Sequence, residues 1–299
     1  MFIINNKKIF ISISVALVAL SVVFIAIFGL KLSIDFKGGA LTEIDYQEGR
    51  PEISVLQEKV NSLNIGGVLI QPTGDTSYLI KTKDLTELER KNLFESFSID
   101  GKFKAEEKSF TSIGPSVGRE LRQKSLISMI LVILAIILFI AFAFRGVSKP
   151  VSSWKYGVIA VLALIHDVTI PTGIFALMGK YGGAEVDTLF VVGLLTILGL
   201  SVNDTIVVFD RIRENLKGYQ GGNFGEVVGK SIKQTFTRSI NTSLTVIMAL
   251  VALYFFGPVS TKYFALTLIA GMFFGTYSSI FLASPLLVLW EEYKKGKKK

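Results

Sequence analysis

The stretch LGLSVNDTIVVFDRIREN, Leu198 to Asn215, sets Asn203 and Asp204 inside an apolar run that continues through Val207, Val208 and Phe209. An ionisable group at membrane depth costs at least about 2.5–3.5 kcal/mol, so such an acid is either partnered or used. At 100° per helical residue, Gly193, Thr196, Ile197, Leu200 and Ser201 fall within about 80° of Asp204. On a second apolar run Arg238 shares a face with Asn241, Thr242, Thr245 and Ala249. On a third, His166 and Asp167 fall near the middle, with Thr169 and Gly173 on the histidine's side. The chemistry these types allow is proton transfer. Burial favours a carboxylate's neutral form and a nearby guanidinium favours its charged form. If two helices shift, Asp204 could alternate between charged beside Arg238 and protonated away from it, with Asn203, His166 and Asp167 completing the relay. Membrane potential supplies roughly 2.3 kcal/mol per 100 mV and a pH gradient about 1.4 kcal/mol per unit, enough to bias a two-state motion.

Plainer readings stand beside these. Asp204 also fits a helix end near the interface, Arg238 a snorkelling topology marker, and His166 a structural hydrogen bond. The acid and the arginine nevertheless lie at similar depth on separate helices, as the two halves of a site would.

The elements that must position these residues are membrane spans. The chain has 299 residues, half of them hydrophobic, with few prolines, a composition unlike that of soluble domains. Six apolar runs reach the roughly 20 residues needed to cross a bilayer: about 9–30, 125–144, 157–178, 186–209, 239–256 and 264–290. The first reads as an uncleaved anchor, because its apolar core is too long for a signal peptide and no small-x-small site follows. No cysteine is present, which excludes disulfides and thiolate metal sites; no metal or cofactor is expected. The net charge of +8 does not point to nucleic acid, since the cations flank apolar runs or sit in the tail at Lys294, Lys295, Lys297, Lys298 and Lys299. Arg145, Lys149 and Lys155 lie between runs two and three, and Arg211, Arg213, Lys217, Lys230 and Lys233 between four and five. The alternate loops hold only Lys180 and Lys262. Both termini are therefore expected in the cytoplasm, with Trp154 and Trp290 as interfacial anchors.

Residues 35–122 then lie outside as an extracytoplasmic domain, between an N-terminal tail and first helix (1–34) and helices two to six (123–290), with a basic tail at 291–299. ALTEIDYQ alternates as a strand. PEISVLQEKVNSLN carries a helical stripe at Ile53, Leu56, Val60 and Leu63, opened by Pro51. VLIQPTGDTSYLIKTK reads as two strands around a turn with Gly74 and Asp75. TELERKNLFESF is a helix with a capping box at Thr86 and Glu89, and KFKAEEKSF a last strand. The β-α-β-β-α-β order predicts a small α+β ferredoxin-like sandwich. No nucleophile–base arrangement or phosphate loop marks an enzyme. Gly38–Gly39 reads as the turn leaving the membrane. On the sixth run Gly271 and Gly275 form a GxxxG helix-packing face with Ser278 and Ser279.

SIDFKGG, SIGPSVGRELRQKS, LIHDV, SVNDTIVVFDRIREN, TRSINTS and GTYSSIF, in this order along nearly the whole chain, together resemble the SecF family of protein-export membrane subunits, within the RND-like transporter superfamily. Ser33 stands where glycine is common in that family. The resemblance implies pairing with SecD from another chain, association with the SecYEG channel and with YajC, and contact with unfolded preprotein. It implies use of the proton motive force in a late step of export across the bacterial cytoplasmic membrane, with the family's ion-transfer aspartate and arginine falling on Asp204 and Arg238. Two other readings remain: half of an RND-type exporter of small molecules or lipids, disfavoured because the outer segment is too small for a substrate cavity, and a passive scaffold for SecD.

Overall fold

The computed structural model describes residues 2–47, 49–99, 101–144, 152–218 and 223–296, apart from the side chains of 153 and 294–296. Arg145, Lys149, Lys297, Lys298 and Lys299 lie outside the described residues, as do the side chains of Lys294 and Lys295. Two compact units result. One comprises residues 1–31, 128–185 and 189–299; the other comprises 32–127 together with 186–188.

The chain starts with a short helix α1 (Phe2–Asn5) and the first long apolar helix α2 (Lys7–Phe28). The smaller unit follows. Its elements are α3 (Ile34–Lys37), β1 (Gly39–Tyr46), α4 (Ile53–Asn61), β2 (Leu69–Thr73), β3 (Ser77–Thr82), α5 (Glu87–Phe97) and β4 (Ala105–Ile113). The strands form one sheet in the order β2-β3-β1-β4, every neighbour antiparallel. In β1, Ala40, Thr42, Ile44 and Tyr46 are all buried, the period-two pattern of a sheet packed on one face. Ile44 and Tyr46 pack with Leu56 and Val60 of α4 and Leu93 and Phe97 of α5. The buried phenols find acceptors: Tyr46 donates to the Phe97 carbonyl at 3.1 Å and Tyr78 to that of Pro51 at 2.7 Å. Ile53, at the start of α4, stays exposed, so the predicted stripe narrows to Leu56 and Val60 with Leu63 half-buried. Thr86 and Glu89 close the predicted capping box.

The two glycines of SIDFKGG have a steric reason. Gly38 and Gly39 have φ of +83° and +142°, where L side chains are strained. A Cβ on Gly39 would stand 2.5 Å from the Thr82 carbonyl oxygen, and one on Gly38 2.9 Å from Pro115. Ser33 caps α3 by accepting from the Asp35 N–H at 3.1 Å. Asp35 in turn accepts from both the N–H (2.9 Å) and the hydroxyl (2.6 Å) of Thr188, and the Ser33 N–H donates to the Val186 carbonyl at 2.9 Å.

The other spans are α6 (Pro115–Ala143), α7 (Ser153–Tyr181), α8 (Thr188–Leu216), α9 (Phe224–Phe256) and a last composite span. That span runs from a 3₁₀ turn (Val259–Thr261) through α10 (Lys262–Ser278) and a π-helical turn (Ser279–Ala283) into α11 (Ser284–Gly296). Among the described residues six helices are thus long and apolar enough to cross a membrane. The spans pack through buried apolar side chains, among them Ile140 and Phe144 of α6, Tyr156 of α7, Phe209 of α8 and Leu287 of α11. Phe144 stacks on Tyr156 at 5.4 Å, and both meet Phe209 edge-on. Trp154 and Trp290, both expected at an interface, meet edge-to-face at 5.3 Å.

Candidate functional site

Four helices meet around two acids, Asp167 and Asp204. His166 and Asp167 sit on α7, two and three residues after Leu164 and within a turn of Pro171. Proline has no N–H, so the Asp167 carbonyl loses its ladder donor at this level of the helix. Both side chains are sealed, with 2% and 0% of their surface exposed. The Asp167 carboxylate lies 2.8 Å from His166 Nδ1 and accepts from Ser201 of α8 and, at 2.8 Å, from Ser278 of α10. His166 Nε2 is buried without a partner among the described residues, and its ring stacks over Tyr277 at 6.2 Å. A bare ring acceptor in an apolar pocket is cheaper than a bare N–H. Nδ1 is therefore the ring nitrogen that meets the Asp167 carboxylate.

Asp204 is one helical turn beyond Ser201 on α8. Its two oxygens accept from Ser239 of α9 at 2.5 Å and from Ser279, the first residue of the π turn after α10, at 2.6 Å. Arg238, Asn203 and Asp204 line one cavity of about 110 Å³ with Ser201, Thr242 and Gly275, a volume large enough for water. Among the described residues Asp204 forms no ion pair with Arg238; its direct bonds come from hydroxyls. The structure thus brings Asp204, Arg238 and Asn203 together at the cavity. His166 and Asp167 join from behind through Ser201, which bonds Asp167 and also lines the cavity.

The glycines fix how closely α10 approaches α8. A Cβ on Gly271 would lie 2.2 Å from Ile197, and one on Gly275 3.2 Å from Ser201. Ile197 and Ser201 are on the stripe predicted around Asp204. The face predicted for Arg238 behaves differently: Asn241, Thr242 and Thr245 are exposed, while α9 buries Thr235, Ser239, Ser243 and Leu250. Sequence reasoning missed Ser239 and Ser243, and read Ser278 and Ser279 as packing. Ser243 bonds Thr276 of α10, so the α9–α10 seam is polar along two turns. A signal was available: Ser239 and Ser243 are four residues apart, as residues on one helix face must be.

The sheet domain offers a contrast. Its groove of about 330 Å³ is lined by Glu87, Arg90, Lys91, Phe94 and Glu107, where Arg90 bonds Glu107 at 3.0 Å and lies 4.1 Å over the Phe110 ring. Hydroxyls of Ser77 and Thr76, with Lys108 at 3.2 Å, hold the Asp45 carboxyl down to about 2. The Thr86 backbone and Lys83 do the same for Glu89, also to about 2.

Six spans with carboxylates and hydroxyls sealed between them define a multi-pass membrane protein with a polar interior. The family described as protein export membrane protein SecD/SecF, C-terminal, matches residues 94–293, and the SecD/SecF GG motif matches residues 23–49. The chain belongs to the SecD/SecF protein-export family. It is 42% identical to the protein translocase subunit SecF of Thermobaculum terrenum, over 93% of this chain and 90% of that one. To the SecF subunit of Anaerolinea thermophila it is 37% identical over 99% and 98%. Against the crystal structure of SecDF from Thermus thermophilus, described as a translocon-associated membrane protein, it has a TM-score of 0.83 at 31% identity. The match spans 97% of this chain and 38% of that longer one.

Proposed function

We propose that this chain is an accessory subunit of the Sec protein translocase that, with SecD, uses the proton motive force to promote late steps of preprotein translocation across the bacterial cytoplasmic membrane. Asp204 and Arg238 are the ion-coupling pair, assisted by Asn203, His166 and Asp167. Both termini are cytoplasmic, and residues 35–122 form an extracytoplasmic ferredoxin-like domain. SecYEG, YajC and the unfolded preprotein are the further partners. The observation that carries the reading is an acid held by two hydroxyls on the wall of a cavity that it shares with a guanidinium, at mid-span of an apolar helix. A carboxylate so placed can gain and lose a proton without facing lipid.

The need for SecD has independent support. Asn203, Arg238, Asn241, Thr242 and Thr245 are exposed on apolar spans of this chain. Polar side chains at such depth are normally covered by other helices. The chain is also 34% identical to the SecDF of Thermus thermophilus while covering only 35% of its length, so the rest of that protein is the natural counterpart of a separate SecD chain. The test is proton uptake by vesicles reconstituted with the chain and SecD. Asp204→Asn should abolish uptake while the complex still assembles; undiminished uptake ends the ion-coupling reading. Export that stays normal in Asp204→Ala would instead make the chain a scaffold.

A further inference from the structure

Two adjacent serines, Ser278 ending α10 and Ser279 opening the π turn, each serve two acceptors. Ser279 Oγ lies 2.6 Å from Asp204 and 3.0 Å from the carbonyl of Thr276 on its own helix. Ser278 Oγ lies 2.8 Å from Asp167 and 3.0 Å from the carbonyl of Gly275. A hydroxyl carries one proton, so each serine chooses. Immediately beyond, the helix opens into the π turn Ser279–Ala283, whose first carbonyl, that of Ser279, accepts from the Ser284 hydroxyl at 2.9 Å. Such turns are rare and are frequent at functional sites.

We infer that Ser279, with Ser278 beside it, is a positioning residue that converts the protonation state of the half-buried Asp204 into the hydrogen-bond pattern of the helix at the α-to-π junction. The inference rests on the ion-coupling reading. With Asp204 charged, the Ser279 proton goes to the carboxylate, because charge-assisted bonds are roughly twice as strong as neutral ones. When a proton from the cavity adds to Asp204, the acid's O–H donates to Ser279 Oγ, and the Ser279 proton turns to the Thr276 carbonyl. No bond between heavy atoms breaks. A hydroxyl that bonds back to its own helix competes with the backbone ladder and bends it; here it does so where the ladder already widens. Ser278 repeats the arrangement toward Asp167. The charged groups facing this pair are Arg238 from α9 across the cavity and Asp167 with His166 from α7; α10 itself contributes hydroxyls.

The experiment uses vesicles carrying the chain with SecD, and reads proton uptake against pH together with hydrogen exchange of the backbone amides of residues 280–283. In the native complex, exchange in this segment should follow the pH midpoint of uptake. Ser279→Ala should displace the uptake profile upward by about one to two pH units, since a hydrogen bond to a charged group is worth about 1.5–3 kcal/mol. It should also uncouple exchange from pH. Ser279→Thr, which keeps the hydroxyl, should restore both. If Ser279→Ala does not assemble, Ser279→Cys, with its weak donor, carries the same expectation. A Ser279→Ala or Ser279→Cys profile superimposable on the native one overturns the inference while leaving the role of Asp204 intact. Uptake that survives Asp204→Asn overturns both, so the two failures are distinguishable.

Discussion

Asp204 shows how a single acid is kept in an apolar span: hydroxyls from two other helices satisfy its oxygens, and the guanidinium stands across a cavity. Acid and arginine were legible in the sequence because charge inside an apolar run is conspicuous. The serines were not, because a serine on a membrane helix also fits close packing, and only the assembled bundle tells the two uses apart. Asp45 supports a different kind of prediction. Its carboxyl is held near 2, below the ordinary value of 3.8, by Ser77 and Thr76 and then by Lys108. A folded-state value below the unfolded one means stability that is present above the ordinary carboxylate range and lost as pH falls from about 4 to about 2. Asp45→Asn should therefore flatten the acid limb of the thermal midpoint of the detergent-solubilised chain between those pH values. An unchanged acid limb would remove Asp45 from the account.

At the level of elements, two glycines let α10 approach α8. Because a Gly271 Cβ would stand 2.2 Å from Ile197, Gly271→Ala should lower stability by about 1–3 kcal/mol, the usual cost of overpacking. Gly275→Ala, 3.2 Å from Ser201, should cost less. Gly199, whose Cβ would meet nothing within 4 Å, is the control and should leave the thermal midpoint of the isolated chain unlowered; the reverse ranking would refute the packing argument. The sequence located the GxxxG but not its counterpart. Element ends were also partly hidden. The second apolar run suggested a start near Ser125, yet α6 begins at Pro115. Proline suits the first helical position, and the polar turns of SVGRELRQKS are helical without being apolar, so a search for greasy runs passes over them. The π turn left no mark in the sequence at all, since nothing in SIFLA differs from ordinary helix.

For the molecule as a whole, the order of spans and strands could be read in advance because hydrophobic period and run length are local properties. Contacts between distant segments could not, such as Asp35 receiving two bonds from Thr188, 153 positions away. The exposed polar face of α9 carries the remaining prediction. Thr245→Cys should form a disulfide or a bifunctional-reagent crosslink to a cysteine placed in a membrane helix of SecD, whereas Ile240→Cys, exposed on the same helix but about 140° round from Thr245, should not. Equal yields at both positions would argue that the polar face is not the seam. Finally, the sheet domain leaves the chain where it arose: Gly38 lies against Pro115, and a Cβ on Gly118 would stand 2.9 Å from the Gly38 nitrogen. An insertion whose stems touch behaves as a cassette. It can be exchanged for a larger or smaller one by splicing at a single knot, and the loop entropy of the intervening chain, which grows only as the logarithm of its length, places little limit on the size of what is carried there.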